Sequence, residues 1–525
     1  MAEPGSRPSR DLSFKHRFRL NFGFDETYYD QCLAYKEAWQ DKLFYVDEDI
    51  LQQQSQFIAK PLKIQENLHV PDTRLQPLQP TQLLDHVSVK TLEIELSRNN
   101  RSTRVEIPFG EGISMDQLDR KGYLLNTGGQ ITSMKWLPQP HTSAGPLYLA
   151  VSVLSSSSGD MEALISHEEL GIFNTKVDAS SNNMVSSIQI WKDEGSSMTL
   201  DKVYVTTKFG AVNQLSFLPV LLVDPILGIL GGLCADGRLR FLTISTHDKY
   251  AVVESPSLVY ELLDYRIPSG TVSFTSYDYL GPDKIIGGFS DGSIAEFIIP
   301  NLNDSLYNTP SYVQSISDTA ISAVSVAEPA PGKFFVSVNT TGSLGFVFEY
   351  GNFVHGRVDS SPTNSFLKPV AHPFLKIFVS CDSTDSISYS FVRHPQEKLS
   401  SVLKVDGVVT AMHVPEFVGH PLALCGTSFG EVHVTNICRK ILNGTKSTSK
   451  TLVPMRLWKL WKENGNLKLY GDFDVVPSEK VTRIAATPTD IVFSSLAWNE
   501  TILGGATYAA GTLSGLLLVE RLVVK

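Results

Sequence analysis

Gly228 to Ile244 reads GILGGLCADGRLRFLTI, two apolar runs divided by Asp236-Gly237. The favoured two-residue hairpin turns require positive φ, which glycine adopts without steric cost. Asp-Gly between two such runs therefore predicts strand, tight turn, strand. Working outward, the same unit recurs. Lys284 to Ile299 reads KIIGGFSDGSIAEFII around Asp291-Gly292, and Lys333 to Glu349 reads KFFVSVNTTGSLGFVFE with Gly342 at the turn. Lys376 to Val392, Pro421 to Ile437 (turn at Gly430) and Thr501 to Leu522 repeat it, and Leu147–Leu154 with Ser187–Trp191 form a split copy.

A shorter apolar strand precedes each unit, marked by an apolar residue, a second three positions on and a bulky one two beyond. The copies are Ile131/Met134/Trp136, Val212/Leu215/Phe217, Val272/Thr275/Tyr277, Ile321/Val324/Val326, Leu367/Val370/His372, Val409/Met412/Val414 and Phe493/Leu496/Trp498. Pro138, Pro219, Pro329, Pro373 and Pro415 follow five of them, and a residue without an N–H ends sheet pairing. The shortest spacing between copies is 42 residues, close to the roughly 40–45 of a WD40 blade. One blade cannot bury its own faces, but a ring of them can. The expectation is an all-β fold: a seven-bladed WD40-type β-propeller over 121–525, with insertions at about 155–186 and 438–490.

Residues 1–120 lie outside the repeat and are expected to form an irregular, partly helical N-terminal extension. Arg7, Arg10, Lys15, Arg17 and Arg19 make a basic tip. Asp25 to Gln54 has helical apolar spacing, Pro61 to Pro80 reads as extended, and Val87–Leu96 and Thr103–Phe109 read as strands. Arg104–Ile107 is the expected closing strand of the ring. Tyr28, Tyr29, Trp39, Phe44 and Tyr45 need burial, either against a docking partner or against this chain's own propeller.

The composition, 42% hydrophobic with a net charge of −10, suits a soluble globular chain and argues against binding polyanions over the whole surface. With no signal core or spanning segment in the sequence, an intracellular protein without membrane contact is expected. The five cysteines lack C-x-x-C spacing, so they read as small buried hydrophobes rather than a zinc site or disulfide framework. Nucleophile-elbow, phosphate-loop and metalloprotease motifs are lacking. A non-enzyme with no catalytic residue, metal, cofactor or small-molecule substrate is expected, and His372 reads as a satisfied core or rim histidine.

One stretch departs from the acidic background. Arg439, Lys440, Lys446, Lys450, Arg456, Lys459, Lys462 and Lys468 face only Glu463 in sequence, with Trp458 and Trp461 among them. Cations interleaved with aromatics suit phosphate contact and stacking, whereas a solvated connection is the plainer reading. Arg439, Lys440, Arg456, Lys459, Lys462 and Lys468 are the candidate DNA-contacting residues.

Gly129-Gln-Ile-Thr-Ser-Met-Lys-Trp-Leu-Pro138, Tyr148–Ser152 and Ile188-Gln-Ile-Trp191 resemble the opening blade of the WD40 tau subunit of general transcription factor III C. Leu227–Leu239 and Leu496-Ala-Trp-Asn499 with Gly511 are similar to the same family. The resemblance implies a nuclear, non-catalytic scaffold within the initiation factor for RNA polymerase III. It would assemble with a second propeller subunit and a large DNA-binding subunit, and help bind promoter DNA at transfer-RNA genes. The alternative is a WD40 adaptor of another nuclear complex, such as a histone- or peptide-binding module.

Overall fold

The computed structural model describes residues 10–64, 70–99, 101–139, 145–156, 184–222, 224–263, 271–299, 308–342, 345–351, 356–358, 367–381, 385–393, 399–442, 452–476 and 488–523. Gly228–Ile244 lies within strands Ile226–Cys234 and Leu239–Ser245, paired antiparallel with Leu233 opposite Leu239. Gly237 turns between them at φ +77, and a Cβ there would stand 2.6 Å from Ser273 Oγ. Gly292 is tighter still, since at φ +85 its Cβ would meet the Ser317 carbonyl oxygen at 1.9 Å.

Each unit supplies the middle strands of one sheet, and the preceding triple supplies its innermost strand. Seven sheets of four or more strands result. Their innermost strands are Gln130–Trp136, Val212–Phe217, Phe274–Tyr279, Ile321–Ala330, Val370–His372, Val409–His413 and Phe493–Trp498, here blades 1 to 7. The third and fifth copies, faintest in sequence, form the same element.

The ring closes where Gly122–Asn126 pairs with Leu516–Arg521 as the fourth strand of blade 7, Leu125 opposite Leu517. The expected closing strand, Arg104–Ile107, is not used. Leu124 and Leu125 are fully buried and match a strand packed inside a blade, whereas residues 101–104 are all exposed. The expected insertion at 438–490 is also corrected. Met455–Glu463 is the fourth strand of blade 6 and Asn466–Tyr470 a fifth. Most of the 155–186 insertion lies outside the described residues.

The extension is a belt built onto the ring. Three helices start it: α1 (Arg10–Phe22), α2 (Glu26–Trp39) and α3 (Glu48–Ile58). The sequence reading missed α1 and merged α2 with α3. Asp25 and Asp47 cap α2 and α3 by accepting the N–H of Tyr28 and Ile50, at 3.0 and 3.2 Å. On α2, Tyr28, Cys32, Tyr35 and Trp39 are buried, one stripe at helical spacing. The chain then crosses the ring. Lys60 N–H donates to Phe417 O of blade 6 at 2.7 Å, its ammonium reaches Glu328 of blade 4 at 2.8 Å, and Lys63–Ile64 pairs in parallel with Val220–Leu221 of blade 2. Arg74–Pro77 next adds to the outer edge of blade 1, and the hairpin Leu92–Arg98/Arg101–Ile107 adds to blade 6 before the chain enters blade 7.

Candidate interaction surfaces

The aromatic residues proposed for docking are engaged by the chain itself. Tyr28 is 6% exposed and Trp39 fully buried. Tyr28 OH donates to Phe374 O at 2.5 Å, and Trp39 Nε1–H donates to Gln54 Oε1 at 2.9 Å. Asn436 Nδ2 of blade 6 donates to the carbonyls of Trp39 and Lys42. Half-buried Tyr29 packs edge-on against Phe18, Phe44 lies 5.0 Å from Phe473, and Tyr45 stacks edge-on against Phe44. Tyr28 and Trp39 are thus buried against this chain's own propeller, while Tyr29, Phe44 and Tyr45 stay half-buried. The apolar stripe of α2 meets the loops that follow the innermost strands of blades 5 and 6, Tyr28 at Phe374 and Tyr35 at Gly419.

The basic run is likewise drawn into the fold. Arg456 is paired with Glu431 at 3.0 Å and with Asp474, Lys459 approaches Glu431 at 3.6 Å, and Lys462 meets Asp490 at 2.7 Å. Lys468 sits between Glu463 and Glu95 at 2.7 and 3.1 Å. Arg439 and Lys440 lie on a short helical turn, Cys438–Ile441, the first exposed and the second buried. Lys446 and Lys450 lie outside the described residues. Trp458 is fully buried and Trp461 half-buried. Counting charge along the chain missed the carboxylates because Glu431, Asp474 and Glu95 arrive from other strands and Asp490 from the turn Thr489–Ile491. Arg456, Lys459, Lys462 and Lys468 are thus ion-paired members of the outer strands of blade 6.

A second cluster was invisible as a motif. Lys135 of blade 1 pairs with Glu416 of blade 6, and Lys368 of blade 5 pairs with Asp278 of blade 3 at 3.2 Å. Each pair skips a blade, so the charges meet across the central channel. Glu500 is 2% exposed and accepts the N–H groups of Glu416, Phe417 and Val418 at 2.8, 2.9 and 3.3 Å. Burial and the neighbouring Glu416 raise its pKa. Burial works the same way on Glu416, but Lys135, His413 and Lys368 together outweigh it and hold that carboxyl below the usual carboxylate range.

His413, Glu416 and Glu500 offer ligand atoms within 4.8 Å of one another, close enough for a metal ion. Proton placement opposes it. Trp498 N–H donates to His413 Nδ1 at 3.2 Å, so the neutral ring carries its proton on Nε2, the nitrogen facing Glu500 at 4.0 Å. That nitrogen has no lone pair for a metal, and the Lys135 ammonium is the resident cation.

His372 and His420 clasp successive blades at the same end of the ring. His372 Nε2 lies 3.2 Å from His420 O and His420 Nε2 3.0 Å from Gly505 O, while the N–H of Leu375 and of Leu422 donate to the respective Nδ1 atoms. Burial lowers the pKa of His372 to about 4 and of His413 and His420 to about 3. His372 is thus the satisfied core histidine that the sequence suggested.

All five cysteines are buried, and none forms a disulfide. A groove of about 1030 Å³ opens between blades 7 and 1 near Glu48, Asp116, Tyr123, Asp193 and Arg521. A hollow of about 250 Å³ lies beside Lys60 and Pro61, under Phe334, Tyr350 and Phe417. Neither is lined by a histidine or cysteine. Among the described residues no helix is long and apolar enough to cross a membrane.

No family model matches the chain. It is 27% identical over 440 residues to the transcription factor tau 91 kDa subunit of Saccharomyces cerevisiae, covering 79% of this chain and 61% of that protein. It is 23% identical over 415 residues to the transcription factor tau subunit sfc6 of Schizosaccharomyces pombe, covering 77% of this chain and 65% of that protein. The chain thus spans less than two thirds of either relative's length. Among solved structures, Chaetomium thermophilum Raptor matches with a TM-score of 0.47 at 10% identity over 77% of this chain and 29% of that one. A ring of seven blades fastened by its own N-terminal belt, the chain is a WD-repeat β-propeller that is similar to the tau transcription factor subunits of both yeasts over more than three quarters of its length.

Proposed function

We propose that the chain is a non-catalytic scaffold subunit of the initiation factor serving RNA polymerase III. In this reading it works in the nucleus, joins a second propeller subunit and a large DNA-binding subunit, and assists promoter binding at transfer-RNA genes only within that assembly. The observation that carries the reading is the similarity to the tau 91 kDa subunit over 79% of the chain. The ion-paired outer part of blade 6 supports the restriction to the assembly, because Arg456, Lys459, Lys462 and Lys468 already have carboxylate partners that phosphates must displace.

Affinity purification of the tagged chain tests this. Recovery with the other subunits of the polymerase III factor is expected, whereas recovery with chromatin-modifying enzymes instead would overturn it in favour of an adaptor role. DNA binding by the purified chain alone should be weak. Reversing Arg456, Lys459 and Lys462 should leave the salt dependence of DNA binding by the assembled factor nearly unchanged. A slope reduced by two or more would show that these residues do touch phosphates.

A further inference from the structure

The belt crosses the ring between two buried anchors, Ile58 at the end of α3 and Val70. It runs over the end at which the innermost strands finish, and there it is shallow. Ala59, Lys60 and Leu62 are half-buried and Pro61 is exposed. Lys60 N–H donates to Phe417 O of blade 6 at 2.7 Å. The Lys60 ammonium meets Glu328 of blade 4 at 2.8 Å and stands 5.8 Å from the centre of the Phe417 ring. Lys63–Ile64 then pairs in parallel with Val220–Leu221 of blade 2.

A main-chain acceptor, a strand edge and a side-chain pocket of defined charge are the means by which a folded surface holds an extended peptide. Here the pocket is built for a cation. One oxygen of Glu328 faces the ammonium while the other accepts the N–H of Gly332 at 3.0 Å, which fixes the carboxylate in place. The Phe417 ring adds its electron-rich face at a distance within cation–π range. Beside the crossing lies the hollow of about 250 Å³, walled by Pro219, Leu280, Phe334, Tyr350 and Phe417. Lys60 and Pro61 line this hollow and leave it open. A segment held by a partly exposed ion pair and a two-residue bridge, next to apolar walls it leaves uncovered, is a weak ligand of its own ring.

We propose that this end of the ring is a binding site for an extended partner segment in which a lysine is followed by apolar residues, and that Ala59–Ile64 occupies it in cis as a strap that the partner segment displaces. The partner's lysine takes the place of Lys60 between Glu328 and Phe417, its backbone pairs with Val220–Leu221, and an apolar side chain enters the hollow. Binding here is independent of which assembly the chain serves, so its failure would leave the scaffold reading standing.

The probe is a fluorescein-labelled peptide of residues 57–64, FIAKPLKI, titrated against the full chain by anisotropy. The tethered strap competes at an effective concentration on the order of millimolar, so the wild-type chain should bind the probe weakly. K60E sets like charges against each other at Glu328 and releases the strap. That variant should bind the probe about tenfold or more tightly, because apparent affinity rises with the open fraction, and the amide at position 60 should lose its protection from hydrogen exchange. In E328K the preference should invert, with a probe carrying the K60E change bound and the native sequence refused. Both variants should keep the wild-type thermal midpoint, since the pair is partly exposed. Equal binding of the probe by wild type and K60E, no binding by K60E, or an E328K chain that still prefers the native sequence would overturn the proposal. If either variant unfolds, the pair is a structural brace and the strap does not open.

Discussion

Replacing Arg120 by methionine should be among the most damaging single changes in the ring. Arg120 is 4% exposed and sits just before the closing strand. Its Nε and Nη2 donate to the two oxygens of Glu520 at 2.5 and 2.7 Å, and its Nη1 donates to Leu457 O and Gly471 O at 2.6 and 2.8 Å. The guanidinium lies 3.7 Å from the Trp458 ring centre and 4.2 Å from that of Phe473. Glu520 also accepts from Tyr508 OH at 2.6 Å and Trp458 Nε1–H at 3.0 Å. One cation therefore joins the closing strand, the third strand of blade 7 and the outer strand of blade 6. Methionine fills much of the volume but leaves Glu520 buried without a counter-charge, and such a loss typically costs about 3–5 kcal/mol. E520Q should cost a similar amount. The R120M/E520Q pair should cost at least about 2 kcal/mol less than the sum of the singles, since the second change removes the orphaned charge left by the first. Urea unfolding of the four proteins, followed by tryptophan fluorescence, supplies the cycle. An R120M loss below about 1 kcal/mol, or strict additivity in the pair, would refute the keystone role.

Trp498→Ala should destabilise by about 3–5 kcal/mol, because the fully buried ring lies 4.7 Å from His420 and 5.6 Å from Tyr508; a near-neutral thermal melt would count against this. E500Q should speed hydrogen exchange at Glu416, since one carboxylate oxygen accepts its N–H and the other accepts those of Phe417 and Val418, and the amide keeps an acceptor at only one of the two positions; unchanged protection there would contradict the assignment. Burial holds His372 at about 4 and His413 and His420 at about 3, below the roughly 6.5 of the unfolded chain. The unfolded state then binds more protons below that value, so their contribution is complete above pH 6.5 and is lost as pH falls toward 4 and 3, by up to about 1.4 kcal/mol per pH unit for each ring. Denaturation midpoints from pH 7.5 to 4.5 should fall accordingly, and an H372N variant that keeps the full slope would remove His372 from the account. K462A should change stability by less than about 1 kcal/mol, as its bridge to Asp490 is partly exposed, and a larger drop in the same urea assay would mark that bridge as structural.

The repeat was fully legible, because blade strands are local: an Asp-Gly turn and two flanking apolar runs specify a hairpin whatever lies beyond it. Asp236-Gly237 and Asp291-Gly292 sit where the local rules put them, and the seven innermost strands follow the triples. Even the faint Leu367/Val370/His372 copy pointed to a real strand. What sequence alone could not decide was every pairing made at long range. Gly122–Asn126 and Arg101–Ile107 are both short, strand-prone and near the ring's start. Only the fit of Leu124 and Leu125 inside blade 7 chose the first as the clasp. The stretch from Arg439 to Lys468 looked like a cationic insertion because a linear count cannot see Glu431, Glu95 or Asp490 across the sheet. The burial of Tyr28 and Trp39 was required by their chemistry, but that blades 5 and 6 of this chain cover them is visible only in the tertiary packing. Sequence determined the blades because turn geometry and two-residue alternation act over a few residues. The structure decided the clasp, the belt and the charge balance because those depend on which distant surfaces are brought into contact.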